Sequence, residues 1–336
     1  KHHGVSLKDK FFKKKILVAG GTGLIGQQLT KQLIDLGAEV SVCSLDKEQL
    51  APKGIKNYFK MDMTIKENCK KVCDGMNIVF SLLGATGSPA TNTNQPATFM
   101  MGNLLTALNM LEGARLANVD EFLYTSTYGV YSNKGEMIEN KVWDYNPSEN
   151  DKFAGWAKRL GELQVEAYQK QYDWKKIYVV RPANIFGPYS NFDEKNSMVV
   201  ASLIKKFFSN EKVVKVWGDG SPIRDFVYSK DMARMIIDVV RKEITVPINL
   251  GSGKGVSIKE LVNIIANSKH IKKKLKVEFE TDKPMGDKIR VLNTQLAKKY
   301  NIFPEISLKE GIDETIEWYL NDVDSAKFKF NAFDQN

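Results

Sequence analysis

Cysteine and histidine are scarce, three of each in 336 residues. Cys43, Cys69 and Cys73 form an odd, sparse set, which argues against a disulfide framework and for a reducing, cytoplasmic setting. Cys69-x-x-x-Cys73 has no second ligand pair nearby and His270 stands alone, so no metal centre is expected. No apolar run reaches the roughly 18 residues that cross a bilayer. The basic N-terminus is not followed by the apolar stretch and cleavage site of a signal peptide. Neither membrane insertion nor export is therefore expected. Internal repeats and low-complexity tracts are also missing, which leaves an ordinary globular chain. Lys1-His2-His3-Gly4 reads as the end of an expression tag, so residues 1–14 are set aside as that remnant and an N-terminal extension.

What is present fits that picture. Hydrophobic residues make up 43% and charged residues 26%, a globular balance rather than a disordered one. The length allows one large α/β unit or two fused domains with a substantial core. The net charge of +9 raises the question of nucleic acid. The lysines, however, are spread along the chain, and aromatic residues do not interleave with them. A lysine-rich surface is the expectation, with local positive charge wherever a phosphate-bearing substrate is held.

The hydrophobic pattern alternates between two kinds of segment. Ile16-Leu17-Val18-Ala19 is a short apolar run that ends in glycines. Helical spacing follows over 27–36, with Gly37 as its stop, and Val40-Ser41-Val42-Cys43 reads as a second strand. This is a βαβ unit. Further strands are expected at Ile78-Val79-Phe80-Ser81-Leu82-Leu83, Phe122-Leu123-Tyr124-Thr125 and Ile177-Tyr178-Val179-Val180, with helices over 99–117 and 153–172. Continuous apolar strands between helices mean a sheet covered on both faces. After Arg181-Pro182 the rhythm breaks into loops, short strands and helices. The expected fold is α/β: a Rossmann-type doubly wound parallel sheet over 15–182, then a smaller, mostly C-terminal α/β substrate lobe over 183–325. Some segments of that lobe should return to the main sheet. The tail at 326–336, with Phe328, Phe330 and Phe333, is either docked or frayed.

Gly20-Gly21-Thr22-Gly23-Leu24-Ile25-Gly26 follows a strand and opens a helix. That context makes a glycine motif a dinucleotide site: tight turn, close approach to a pyrophosphate, and free N–H groups at the helix start. Asp46 lies 20 residues beyond Gly26. An acid there accepts from the ribose hydroxyls and repels a 2′-phosphate, favouring NAD over NADP. Ser44, however, holds the strand end itself, and Lys47 is close by. Asp62, after an expected strand over 57–60, is either an adenine contact or a loop-capping aspartate.

With these residues in place, the chain resembles the extended short-chain dehydrogenase/reductase family of nucleotide-sugar epimerases, dehydratases and reductases, over nearly its whole length. The resemblance rests on the glycine motif, Leu83-Gly84-Ala85, Asn103, Ser126-Thr127-Tyr128-Gly129-Val130-Tyr131, Lys158, Arg181-Pro182-Ala183-Asn184-Ile185-Phe186-Gly187-Pro188 and Arg224-Asp225-Phe226-Val227. The branch it is most similar to is the GDP-fucose synthase group. The residues shared with that group are Val216-Trp217-Gly218-Asp219-Gly220-Ser221-Pro222-Ile223-Arg224, Asn191-Phe192 with Asn196-Ser197-Met198-Val199, and Lys283-Pro284-Met285-Gly286. The resemblance implies dinucleotide contacts at Gly20, Gly23, Leu24, Ile25, Gly26, Asp46, Asp62, Met63, Leu83, Gly84, Ala85, Asn103, Lys158 and Pro182. It implies nucleotide-sugar contacts at Thr127, Asn184, Trp217, Arg224 and Lys283, and a homodimer or higher oligomer through helices at 96–118 and 153–172. Arg224 suits a diphosphate by its planar fork. Trp217 either stacks on a base or ribose or is a core residue, and Asn184 either bonds the substrate or caps a loop.

The departures from that family decide the chemistry. It uses a Tyr-x-x-x-Lys pair, in which the tyrosine moves the hydroxyl proton during hydride transfer. Here the segment is Ala154-Gly155-Trp156-Ala157-Lys158, and alanine moves no proton. Ala154 is either an engineered loss or a natural repurposing. The second reading gains weight because the synthase group's cysteine and histidine align with Gly129 and Met198, and the dehydratase Asp-Glu pair aligns with Tyr128-Gly129. Epimerisation at carbons 3 and 5 and loss of water are therefore not expected. What remains is a hydride site made of cofactor, Thr127, Lys158 and a sugar-diphosphate pocket, with Tyr128, Lys158 or water as proton acceptor. That suits NAD-dependent oxidation at carbon 4 of a GDP-sugar, and resembles the GDP-heptose 4-dehydrogenases of capsule biosynthesis. A 4-epimerase and a catalytically impaired dinucleotide binder are the rivals.

Overall fold

The computed structural model describes residues 9–84, 93–193 and 197–331. The central sheet starts with β1 (Lys15–Ala19), β2 (Glu39–Ser44), β3 (Tyr58–Lys60), β4 (Ile78–Ser81), β5 (Glu121–Thr125) and β6 (Ile177–Pro182). The chain then makes β7 (Asn184–Phe186), β8 (Val213–Trp217), β9 (Ile223–Arg224) and β10 (Phe226–Tyr228), and returns to the main sheet as β11 (Ile248–Leu250). The seven strands stand in the order β11-β6-β5-β4-β1-β2-β3, every pair parallel.

The alternation of side chains explains why this sheet needs covering twice. In β1, Ile16 and Val18 belong to one core and Leu17 and Ala19 to another, all fully buried. The first core is roofed by α1 (Leu24–Asp35) and α6 (Ser229–Arg241), through Leu29, Leu33, Met232 and Ile236. The second lies under α2 (Lys66–Cys73), α3 (Pro96–Leu116) and α4 (Lys152–Gln171), through Val72, Cys73, Met110, Leu111 and Val165. All three cysteines are free and buried, and burial raises their thiol pKa values.

The helices begin slightly ahead of the hydrophobic periodicity. α1 starts at Leu24 instead of Gln27 because the glycine loop itself supplies the first turn. α3 starts at Pro96, where the missing N–H costs nothing. Among the N-terminal residues, Phe11 is fully buried and sits 6.3 Å from Phe80 ring to ring.

The C-terminal half forms a third core around α5 (Val199–Phe207), α7 (Ile258–Ala266) and α9 (Leu308–Asp322), with the short α8 (Gln295–Lys299) before α9. Its small sheets pair β7 with β10 and β8 with β13 (Lys276–Glu280), and set β9 between β12 (Val256–Ser257) and β14 (Ile289–Arg290). In the main sheet the chain winds outward from β1 to β3, then crosses back to β4. The crevice at the C-terminal ends of β1 and β4 is thus a topological switch point, where open α/β sheets bind ligands. No helix among the described residues is long and apolar enough to cross a membrane.

Candidate active site

The glycine loop leaves β1 into this crevice. Gly20 has φ +82°, a conformation that costs other residues energy, and its N–H donates to Cys43 O at 2.8 Å. A Cβ on Gly26 would lie 2.2 Å from Gly20 O, so helix and loop meet backbone to backbone. Gly23 differs. A Cβ there has only Gly20 O within reach, at 3.6 Å, and it faces open space. Gly23 is the N-cap of α1 with no side-chain capping bond. The N–H groups of Leu24 and Ile25 therefore belong to the unpaired first turn, which favours an anion. This cradle fits a pyrophosphate.

Asp46 stands just past β2, beside the loop. Its Oδ2 accepts from Thr22 Oγ1 at 2.7 Å, and its Oδ1 from the Phe330 N–H at 2.6 Å. Ser44 Oγ, at the strand end, is 2.7 Å from Thr22 Oγ1 and accepts from the Asp46 N–H at 3.0 Å. Asp62 uses Oδ1 to accept from the N–H and hydroxyl of Thr64, closing the turn before α2. Met63 is buried against Cys69 in the second core.

The other end of the crevice holds Lys158. Its Nζ donates to Thr125 O at 2.9 Å and to Leu83 O at 3.3 Å. A Cβ on Gly84 would lie 2.6 Å from Asn103 Oδ1 and 3.3 Å from Lys158 Nζ, so the β4 loop, α3 and α4 converge here. Asn103 donates to Phe99 O at 2.7 Å. Ala85 lies outside the described residues, and Pro182 ends β6. Burial brings the Lys158 ammonium down to about 8, against the pull of the Glu162 carboxylate. Glu162 is itself held in a 2.5 Å pair with buried Arg181 and accepts from Ser126 Oγ at 2.6 Å.

Ala154 is half-buried, one turn before Lys158 on the same face of α4. Thr127 is half-exposed, and its Oγ1 accepts from the Gly129 N–H at 3.1 Å. Tyr128 donates its hydroxyl to Asn184 Oδ1 at 2.9 Å. Burial and the Asp151 charge push that hydroxyl up to about 12, although Arg290 and Arg224 draw it down.

The residues expected to meet a nucleotide sugar stand on β8, β9 and the loop before β14. Trp217 is 46% exposed, which removes it from the core, and Lys283 Nζ is 5.9 Å from its ring centroid. A Cβ on Gly286 would lie 3.2 Å from Arg224 Nη2, so Arg224 and the 283–286 turn share one wall. Arg224 donates to Ile223 O at 2.9 Å.

One charged cluster beside the site was not foreseen in the sequence. Asp151 pairs with buried Arg290 at 3.1 Å, and Asp287 lies 3.6 Å from the same guanidinium. Asp151 is three residues before Ala154, and its Cγ would be 3.6 Å from a Cβ on Gly129. Burial raises its pKa despite Arg290. Its only sequence signal was an acid at the start of a helix, a pattern that ordinarily means a cap. Among the described residues no group of three or more His, Cys, Asp or Glu side chains could hold a metal ion.

A switch-point crevice with a glycine cradle at one end and a buried lysine at the other defines a dinucleotide-dependent enzyme of the Rossmann class. Residues 16–251 match the NAD dependent epimerase/dehydratase family, and the chain belongs to that family of enzymes, whose cofactor is a nicotinamide dinucleotide. The chain is 28% identical over 335 residues to a probable GDP-L-fucose synthase 1 of Oryza sativa subsp. japonica, covering 97% of both chains. It is 27% identical to the GDP-L-fucose synthase of Escherichia coli K12, covering 93% of this chain and 98% of the relative. In fold it is similar to the UDP-glucose 4-epimerase of Thermotoga maritima, with a TM-score of 0.79 at 24% identity, covering 92% and 99% of the two chains.

Proposed function

We propose that the chain oxidises carbon 4 of a GDP-linked, mannose-type hexose or heptose to the 4-keto sugar, with NAD as the preferred cofactor, in the making of a cell-surface polysaccharide. The observation that carries this reading is the composition of the reactive corner. Thr127 and Lys158 are in place, while glycine stands at 129 and methionine at 198 where the synthase group carries its cysteine and histidine, and alanine at 154 leaves the hydroxyl proton to another group. The groups that would move further protons on the sugar ring are gone, and a simple hydride transfer is left. The relatives named for GDP-sugars support the choice of base, and an acid at Asp46, just past β2 and bonded to the glycine loop, supports NAD.

The bound dinucleotide supplies the hydride acceptor. The chain's own residues do the rest. Arg224 and Lys283 hold the diphosphate and Trp217 offers a face to the base or ribose. Thr127 orients the carbon 4 hydroxyl. Lys158 is 8% exposed with its ammonium near 8, so it takes up the hydroxyl proton when neutral. Tyr128 is less suited, since burial pushes its hydroxyl up to about 12 and keeps it protonated. A homodimer through α3 and α4 completes the proposal, supported by exposed Met101, Leu116, Phe153, Leu160, Leu163 and Tyr172 along those helices.

The same lysine favours a second reading: the ammonium form donates a proton, as reduction of a 4-keto sugar requires. The direction is tested by adding GDP-sugars with NAD and following NADH, then supplying the 4-keto product with NADH. Formation of a 4-keto sugar by the purified chain is expected. A parent chain inert toward every GDP-sugar, with strong activity created by Ala154→Tyr alone, would mean that Ala154 marks a knocked-out enzyme.

A further inference from the structure

The final described stretch of the chain leaves α9 through a 3-10 turn, Val323–Phe328, and then crosses from one lobe to the other. Its bonds alternate. Toward the dinucleotide lobe, Phe328 O accepts from the Lys47 N–H at 2.9 Å and the Phe330 N–H donates to Asp46 Oδ1 at 2.6 Å. Toward the substrate lobe, Lys329 Nζ donates to Tyr189 O at 2.6 Å and Asn331 Nδ2 to Asp193 Oδ2 at 3.1 Å. Lys329 is extended, with φ −77° and ψ 139°. Successive residues of an extended segment face opposite ways, which is why one edge grips Asp46 and Lys47 while the side chains at 329 and 331 reach the other lobe.

A frayed terminus would leave its lysine in water. Burial instead lowers the Lys329 ammonium, and Asp46 is the charge that holds it up. The crossing does not fill the cofactor cradle, because the space above Gly23 stays open. Nor does it exhaust Asp46. A carboxylate accepts about four hydrogen bonds, and Thr22 and Phe330 use two of them. Two acceptor positions remain for ribose hydroxyls.

We infer that residues 328–331 are a strap of the dinucleotide site. The strap fixes Asp46 in its ribose-facing position and closes the two lobes over the adenosine end, so it sets how long the nucleotide stays and how strictly a 2′-phosphate is refused. A carboxylate pinned by a backbone N–H cannot swing away from a like charge, whereas an unpinned one can. The inference rests on the family's cofactor and on Asp46 facing the ribose, but not on the sugar chemistry.

The test needs no sugar. NADH is bound to the full chain, to a variant lacking residues 326–336 and to Lys329→Ala, and its release into excess NAD is followed by stopped-flow fluorescence. Binding of NADH and NADPH is compared by calorimetry. Release from the truncated chain is expected to be at least tenfold faster, with Lys329→Ala in between, and the preference for NADH over NADPH should shrink about tenfold. Equal release rates and an equal preference would overturn the strap. Faster association with tighter binding on truncation would also overturn it, making the tail a competitor. A full chain that prefers NADPH would sink the reading of Asp46, while the release rates still judge retention. Should the truncated chain misfold, amide exchange of the full chain decides. Protection at Lys47 and Phe330 should rise when NAD is added, and protection that falls or stays level refutes closure.

Discussion

If Lys158 takes the proton, the direction of reaction and the pH must be linked in a definite way. The free amine is the acceptor, and burial places its pKa near 8. From that value about a tenth of the lysine is neutral at pH 7 and about nine-tenths at pH 9. Oxidation limited by this step should therefore rise roughly tenfold across that interval. Reduction of the keto sugar needs the ammonium and should fall over the same range. The positive charge of an oxidised nicotinamide would move the midpoint lower still. Lys158→Arg keeps the charge but gives up no proton in this range. It should lose about 10²- to 10⁴-fold in oxidation and, with it, the pH dependence. Initial rates of NADH formation at saturating GDP-sugar, with protein stability checked at each pH, make the measurement. Because the cofactor's charge lowers the midpoint, a parent whose rate is flat from about pH 5 to about pH 9, or a Lys158→Arg enzyme that keeps the parent's profile, would refute the role.

Other positions give sharper binding tests. Gly23→Val should abolish NAD binding with little loss of stability, because its side chain enters the pyrophosphate space and not the core; normal binding by calorimetry would displace the cradle. Gly26→Ala should instead lower the melting temperature, since its Cβ would lie 2.2 Å from Gly20 O. Arg224→Ala should weaken GDP binding by about 1.5–3 kcal/mol, roughly ten- to a hundredfold, and unchanged affinity would remove Arg224 from the diphosphate. Tyr128→Phe should slow oxidation less than tenfold, because its hydroxyl stands near 12 and is committed to Asn184; a larger loss would restore Tyr128 as the acceptor.

The parts legible in the sequence are those with a local signal. Ile16 to Ala19 followed by glycines announced a strand, a turn and a helix start within a dozen residues. Apolar runs such as Ile177 to Val180 marked strands buried on both faces. Pairings across the chain left no such mark. The Phe330–Asp46 bond spans 284 positions and the Arg290–Asp151 pair spans 139, and neither residue's neighbours hint at its partner. Tyr128 could be placed at the site from its motif, but its bond to Asn184, 56 residues on, decides how it behaves there. Trp217 was ambiguous for a similar reason: only the assembled lobe shows which face of β8 meets solvent.

The return of β11 to the main sheet bears on how the molecule comes into being. β6 is buried throughout, yet its outer edge is paired by Ile248–Leu250, a strand made about 68 residues after Pro182. At about 5–20 residues per second, several seconds of synthesis pass before that partner exists. Until then the growing chain carries an unpaired edge at Val180, Arg181 and Pro182, where the arginine charge and the proline without an N–H limit pairing with other strands. The first half cannot close its sheet alone. A nascent chain halted before residue 248 leaves β6 without its outer partner, so the C-terminal half belongs to the folding unit of the main sheet.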